Sequence, residues 1–285
     1  MKKVILMALM IVVTVTLLVE AGEIDSIHNI RKSGKGDQTI PGLLTIMTYD
    51  IGAAYGQNTV EDSLKSKFSK EDLSRIAEAI KAVDPDVIGL QGVKGSEEAE
   101  FLAKALNMNY TYGHHGAPKT CASRWGMALL SKYKISGSRT QIIYPGGLKC
   151  STTRSVLECS VATPVKEIIF INSHFNHEGS VEEQAAKTIE IMPEPLKEPV
   201  FLLGDLGVLP GSKDLRPIEA KLTDTCDGVH NENSSFVKKT GTGHGRVDYV
   251  FFDSRSFLVK DVGLIPKEFW HASDHIGYFA RVAFK

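Results

Sequence analysis

The chain has 285 residues, with 33 Lys or Arg against 34 Asp or Glu, a formal charge of −1 at pH 7. So even a balance excludes the basic stripe that a processive or high-affinity duplex binder uses for phosphate contacts. The length suffices for a full core in one α/β domain, so the composition calls for neither a second domain nor a permanent place in a bilayer.

Lys2 and Lys3 precede an apolar run from Val4 to Val19, interrupted by Thr14 and Thr16. A positive end, a short apolar segment and a small residue at the exit match a signal peptide, whereas a spanning helix needs about 20 apolar residues. Val19 and Ala21 occupy the peptidase-read positions, so residues 1–21 are expected to be removed. Residues 22–41 then form a flexible polar arm before a domain over residues 42–285. The expected location is exported: secreted, periplasmic or cell-surface, with an uncleaved N-terminal anchor as the alternative that the run length leaves open.

Leu43 to Ile51 is rich enough in β-formers for a strand. Lys70 to Val83 sets Leu73, Ile76, Ala77 and Ile80 on one helical face, with Ser69 and Asp72 offering a capping box. Val87 to Gln91 returns to a sheet, Ser96 to Leu106 reads as a second helix, and a strand near Tyr110 leads to an irregular segment holding His114, His115, Pro118 and Cys121. Met127 to Ser131, Ser138 to Tyr144, Ser155 to Ala162 and Ile168 to Ser173 read as strands. A helix from Val181 to Ile191 ends at Pro193 and Pro195, and Val200 to Gly204, Val247 to Phe252 and Tyr278 to Phe284 complete the strands. Helices recur without a regular βαβ beat, and no GxGxxG occurs, so two packed sheets covered by helices fit better than a Rossmann sheet or a barrel.

Cys121, Cys150, Cys159 and Cys226 allow three complete pairings, of which a local clip between Cys150 and Cys159 is the easiest; plain buried thiols are the competing account. They lack CxxC and finger-spaced histidines, so they are not a zinc pattern. Asp50, His174, Asp205, Asp248, Asp274 and His275 sit at or near the ends of apolar strands, where a buried strand fixes a side chain and the following loop leaves it open. Such carboxylates and imidazoles can hold a divalent cation, orient water and exchange a proton. They can equally serve as loop residues and caps. His114 and His115, in a Gly/Pro-bounded loop, read first as an exposed loop pair and second as a pair that reaches a substrate phosphate. Trp125 reads as a core edge or a stacking platform, Phe269 and Trp270 as core packing, and Lys238 and Lys239 as a solvated face or an approach to a phosphate-bearing ligand.

Six segments in order resemble the endonuclease/exonuclease/phosphatase family of Mg²⁺-dependent hydrolases, which includes secreted deoxyribonucleases, abasic-site endonucleases, sphingomyelinases and inositol phosphatases. They are Ile46–Ile51 (IMTYDI), Asp84–Val93 (DPDVIGLQGV), Trp125–Ile135 (WGMALLSKYKI), Ile171–His177 (INSHFNH), Val200–Gly207 (VFLLGDLG), and Arg246–Phe251 (RVDYVF) followed by Ser273–His275 (SDH). The resemblance implies a four-layer α/β sandwich, two central mostly antiparallel sheets covered by helices. It also implies an Mg²⁺ or Mn²⁺ cofactor.

By the same resemblance, Asp248 fixes the ring of His275, Asp205 aligns the attacking water, Asp274 meets the cation and His174 donates toward a phosphoryl oxygen. Four positions depart from the family strings: Asp50 stands for Asn, Gly92 for the metal-binding Glu of LQE, Asn176 for Asp, and Gly207 for the Asn of GDFN. Asp50 is a candidate metal carboxylate that offsets the loss at Gly92, against the plain reading of a turn cap. Glu97 and Glu98 belong to the next helix's first turn, and restoring Glu at 92 is expected to give the largest single gain in activity.

Three functions follow: an exported metal-dependent phosphoester hydrolase with an altered or weak site, a noncatalytic binder of phosphate esters or phospholipid headgroups, or a secreted interaction protein on a degenerate hydrolase scaffold. The expected partner is a phosphate-containing small molecule or lipid headgroup, met by a monomer. Expression in a secretion-competent host should yield a product beginning near Gly22. Intact mass decides it, and a carbonate-resistant membrane fraction retaining Val4 to Val19 would instead establish an anchor.

Overall fold

A computed structural model describes residues 42–52, 69–115, 125–146, 153–175, 179–192, 197–227 and 245–285. The expected signal peptide and arm, Pro118, Cys121, Cys150, Asn176, His177, Pro193, Pro195, Lys238 and Lys239 lie outside these residues. Among the described residues no helix is long and apolar enough to cross a membrane.

Two six-stranded sheets form the centre. The first uses β1 (Leu43–Asp50), β2 (Val87–Val93), β3 (Asn109–His114), β4 (Gly126–Ser131), β11 (Phe257–Leu264) and β12 (Tyr278–Phe284). The second uses β5 (Lys134–Tyr144), β6 (Arg154–Ala162), β7 (Glu167–His174), β8 (Val200–Asp205), β9 (Thr223–Asp224) and β10 (Asp248–Phe252). Their orders are β11-β12-β1-β2-β4-β3 and β5-β6-β7-β8-β10-β9. Each sheet has one parallel pair, β1 with β2 and β7 with β8, and is otherwise antiparallel. The crossover between parallel neighbours is α1 (Lys70–Val83) in the first sheet and α3 (Val181–Ile191) in the second.

The helices start where their caps are. Ser69 Oγ accepts from the Glu71 N–H at 3.2 Å, and Ser180 Oγ from the Glu183 N–H at 3.1 Å, satisfying first-turn donors. Asp72 pairs with Arg75 one turn on. α1 and α2 (Ser96–Leu106) cover the outer face of the first sheet, burying Leu73, Ile76, Ile80 and Leu102 against Met47, Tyr49, Ile88 and Leu90. α3 and the short α4 (Arg216–Glu219) cover the second, with Ala185 and Ile218 against Ile169, Ile171, Leu202, Tyr249 and Phe251. Between the sheets lies a core of strand residues alone, Ile46, Val87, Leu129, Phe170, Phe201, Leu203 and Val250 among them. The order is therefore helix, sheet, sheet, helix.

One polar knot interrupts that inner core. Gln91 Nε2 donates to Asn172 Oδ1 across the two sheets at 2.6 Å, and Asn172 Nδ2 donates to the carbonyls of Leu90 and Ala128 at 2.9 Å each. Thr48 Oγ1 donates to Gln91 Oε1 at 3.2 Å. A Cβ at Gly89 would come within 3.0 Å of Asn172 Oδ1, so a bare residue there lets the two amides meet.

Two strands escaped the sequence reading, as did the short α4. β11 carries Lys260 and Asp261 in mid-strand, and its ladder slips between Val259 and Asp261, so it lacks the apolar run that marks a strand. β9 is two residues long. The clip between Cys150 and Cys159 is also corrected. Cys159 is a free thiol facing the inner core, where burial pushes its pKa up, and Cys226 is free with Sγ 3.0 Å from the Tyr278 hydroxyl. The buried-thiol account holds for Cys159, while Cys226 is a half-buried thiol.

Glu98, in the first turn of α2, is 1% exposed, and its Oε2 accepts the Lys94 N–H at 2.8 Å. Desolvation raises its pKa to about 7, with that N–H pulling the other way. The folded chain thus holds a proton that the unfolded chain releases near 4.5, so stability from this group is complete below that pH and lost as pH rises toward 7. Glu98→Gln should flatten the dependence of Tm over this window and raise Tm at pH 8. An unchanged wild-type slope in the variant would remove Glu98 as its source.

Candidate functional site

Side chains alternate between the faces of a strand, so each strand that sends apolar residues into the inner core continues that row to its end. Ile46 leads through Thr48 to Asp50, Phe170 through Asn172 to His174, and Leu203 to Asp205, while Val250 leads back to Asp248. Pairing aligns these ends: His174 lies opposite Asp205 and Asp205 opposite Asp248, while Asp50 lies opposite Gln91. The site is therefore the polar end of the inter-sheet core, with Asp50 from one sheet and His174, Asp205 and Asp248 from the other. His275 enters from the segment before β12.

His275 Nδ1 lies 2.9 Å from Asp248 Oδ2, the pairing expected from the sequence, and its Nε2 lies 3.8 Å from Asp205 Oδ2. Burial alone would lower its pKa, yet Asp248 and Asp205 together hold it well above the ordinary histidine value. His174 spans the sheets, with Nδ1 3.4 Å from Asp50 Oδ2 and Nε2 3.6 Å from Asp205 Oδ2. Asp50 is 4% exposed, and desolvation raises its pKa to about 6; His275 lowers it, while Asp205 and Asp274 raise it further.

Asp50 and Asp205 are held by the same local device. Asp50 Oδ1 accepts the Gly52 N–H at 2.7 Å and Asp205 Oδ1 the Gly207 N–H at 2.8 Å, with φ of +50° and +68° at the two glycines. The second oxygen of each carboxylate faces the His174 ring. Donor atoms of Asp50, Asp205 and His275 lie within 4.8 Å of one another, the one such set among the described residues. Asp274 stands outside that set, its Oδ1 accepting from Ser273 Oγ at 3.2 Å.

Gly92 does not hold a place open for a missing side chain. Its φ is +65°, and a Cβ built there would lie 2.5 Å from Asp50 Oδ1 and 3.0 Å from the Gly52 nitrogen. The room that a glutamate at 92 would need is taken by Asp50 while that carboxylate keeps its place. Glu97 and Glu98 do fall in the first turn of α2.

His115 is the residue that sequence reasoning missed. Far from an exposed loop, it is 4% exposed, with Nδ1 3.1 Å from Ser155 Oγ and its ring edge-on to His174 at 6.1 Å. Burial, helped by Arg154 and His114, holds its pKa well below the ordinary value, so it is a neutral imidazole beside His174. Its signal in the sequence was a polar residue next to a strand end, since it follows β3 directly, much as Asp50, His174 and Asp205 close their own strands. Phe269 and Trp270 pack against the core under α1, and Trp270 Nε1 donates to the Ile265 carbonyl at 2.9 Å. Arg246 is spent on Asp224 and lies 4.2 Å over the Tyr249 ring.

A sequence profile described as the Endonuclease/Exonuclease/phosphatase family matches residues 54–275. A search of curated protein sequences found no match. Among solved structures, an endonuclease/exonuclease/phosphatase from Bacteroides vulgatus superposes with a TM-score of 0.67 at 18% identity, over 85% of this chain and 99% of that one. One from Beutenbergia cavernae gives 0.65 at 20%, over 85% and 72%. A Bacteroides thetaiotaomicron mannosyl-6-phosphatase gives 0.63 at 19%, over 85% and 100%.

Asp248→Asn should lower the pKa of His275, because a full negative charge at hydrogen-bond distance is replaced by a neutral amide of the same shape. Imidazole NMR titration of the two proteins checks it. Equal His275 titration in both would dissolve the pair.

Proposed function

Because the chain belongs to the endonuclease/exonuclease/phosphatase family, we propose that this metal-dependent phosphoesterase-like protein hydrolyses phosphate esters with Mg²⁺ or Mn²⁺. The observation that carries the reading is the convergence of Asp50, Asp205 and His275 donor atoms within 4.8 Å, backed by Asp248 at 2.9 Å from the imidazole. The donor set fits a hard divalent cation: carboxylate oxygens predominate, and they crowd one another in a desolvated place where positive charge relieves them. When bound, such an ion would neutralise phosphoryl oxygens and acidify an attacking water.

Asp50 and Asp205 would hold the ion, with Asp274 reaching it through water. His275 belongs to the same converging set through its ring, and its Nε2 faces the same space. Asp248 orients that ring by accepting a hydrogen bond from Nδ1–H, which leaves Nε2 toward the ion or a phosphoryl oxygen. Asp205 Oδ2, free of the Gly207 N–H, is positioned to align water. His174 donates to a phosphoryl oxygen or to the leaving group. Export, proposed from residues 1–21, would place this chemistry outside the cytoplasm.

Purified protein should show EDTA-sensitive turnover, restored by Mg²⁺ or Mn²⁺, on a panel of DNA, a phosphodiester, sphingomyelin, inositol phosphate and a sugar phosphate. The sugar phosphate is included for the mannosyl-6-phosphatase of the same fold. His275→Ala should cut turnover by about 10²-fold or more at unchanged folding. Saturable binding of these esters without turnover would sink hydrolysis in favour of a phosphate-ester binder.

A further inference from the structure

We infer that Asp50 and Gly92 form one coupled unit, in which Asp50 is the anchoring carboxylate for the cation and Gly92 is bare because that carboxylate fills its side-chain space. The inference rests on the metal-dependent reading above and adds to it a dependence between two strands. Asp50 ends β1 and lies opposite Gln91 on β2, so position 92 is the first residue past the pair. There the β2 ladder with β4 slips between Leu90 and Val93, and Gly92 adopts a φ of +65°. An extra residue in the left-handed region is the backbone signature of a bulge that turns a strand aside.

The turn makes a recess, and Asp50 occupies it. A Cβ at 92 would stand 2.5 Å from Asp50 Oδ1 and 3.0 Å from the Gly52 nitrogen whose N–H holds that same oxygen at 2.7 Å. A side chain there would be strained at that φ and would require the Asp50 carboxylate, and the hydrogen bond that aims it, to shift. The same relation recurs beside it: a Cβ at Gly52 would stand 2.6 Å from Asp274 Oδ1. Two carboxylates are thus seated against bare backbone, Asp50 at Gly92 and Asp274 at Gly52. The departures at 50 and 92 are accordingly one exchange, which moves a negative charge from β2 to β1 and does not delete it.

The test is titration of Mn²⁺ into EDTA-stripped full-length protein, followed by calorimetry and by the electron spin resonance of free Mn²⁺, with Tm measured in EDTA. Asp50→Ala should weaken Mn²⁺ binding by about tenfold or more, because it removes an ion-holding carboxylate. Gly92→Ala should weaken it too, and should lower Tm more in the wild-type background than in Asp50→Ala, where the overlap is gone. Should Gly92→Ala alone fail to fold, recovery of folding in the double variant reports the same coupling. Equal Mn²⁺ affinity in wild type and Asp50→Ala, or an equal Tm cost of Gly92→Ala in both backgrounds, would overturn the unit. Wild-type protein that binds no Mn²⁺ and turns over unchanged in EDTA would overturn the metal-dependent reading itself.

Discussion

The side-chain amides of Gln91 and Asn172 meet between two sheets where water does not reach, and the placement of the site follows from that contact. A buried amide that loses its partner costs about 1–3 kcal/mol, whereas apolar side chains facing each other across a sheet interface tolerate small displacements. The inner core alone would therefore leave the sheets free to settle in several neighbouring alignments. The amide pair selects one. Gln91 is paired in register with Asp50, and Asn172 stands two residues before His174, so fixing the first pair fixes the 3.4 Å approach of the second across the gap.

This constraint explains the division between what could and could not be read from the chain. Strands such as VFLLGD and DYVFF announce themselves as apolar runs, and α1 announces itself by the spacing of Leu73, Ile76 and Ile80. The same runs conceal which face is which. Strands covered on both sides lose the apolar–polar alternation that would separate inner from outer residues, so Asp205 and Asp248 can be seen as strand ends but not as register partners. His115 was hidden for a related reason: its contacts, Ser155 and His174, belong to the other sheet. β11 was lost because Lys260 and Asp261 stand at an exposed edge, where a strand need not be apolar.

The two halves of the fold solve the same positioning problem alike. In each, a parallel pair joined by a helix brings two strand ends together, Asp50 beside Gln91 and His174 beside Asp205, and an aspartate at such an end turns its carboxylate back onto the N–H of a glycine two residues on. Substitutions judged singly against a family pattern look like subtractions. Judged in place, Gly207 supplies the N–H that orients Asp205, and Gly92 yields its space to Asp50, so a change of residue type is not a loss of function until its neighbours have been considered.

The position of β12 has a consequence for how the molecule comes into being. Although it is the last strand in sequence, it lies inside the first sheet, hydrogen-bonded to β11 on one side and to β1 on the other. During synthesis β1 leaves the ribosome early and must wait, one edge unpaired, until more than two hundred further residues have followed. His275 emerges only just ahead of β12, so Asp248 waits a further 27 residues for its imidazole. The half-made chain holds an open sheet edge and scattered carboxylates, and the candidate site comes together only once His275 and β12 have been made.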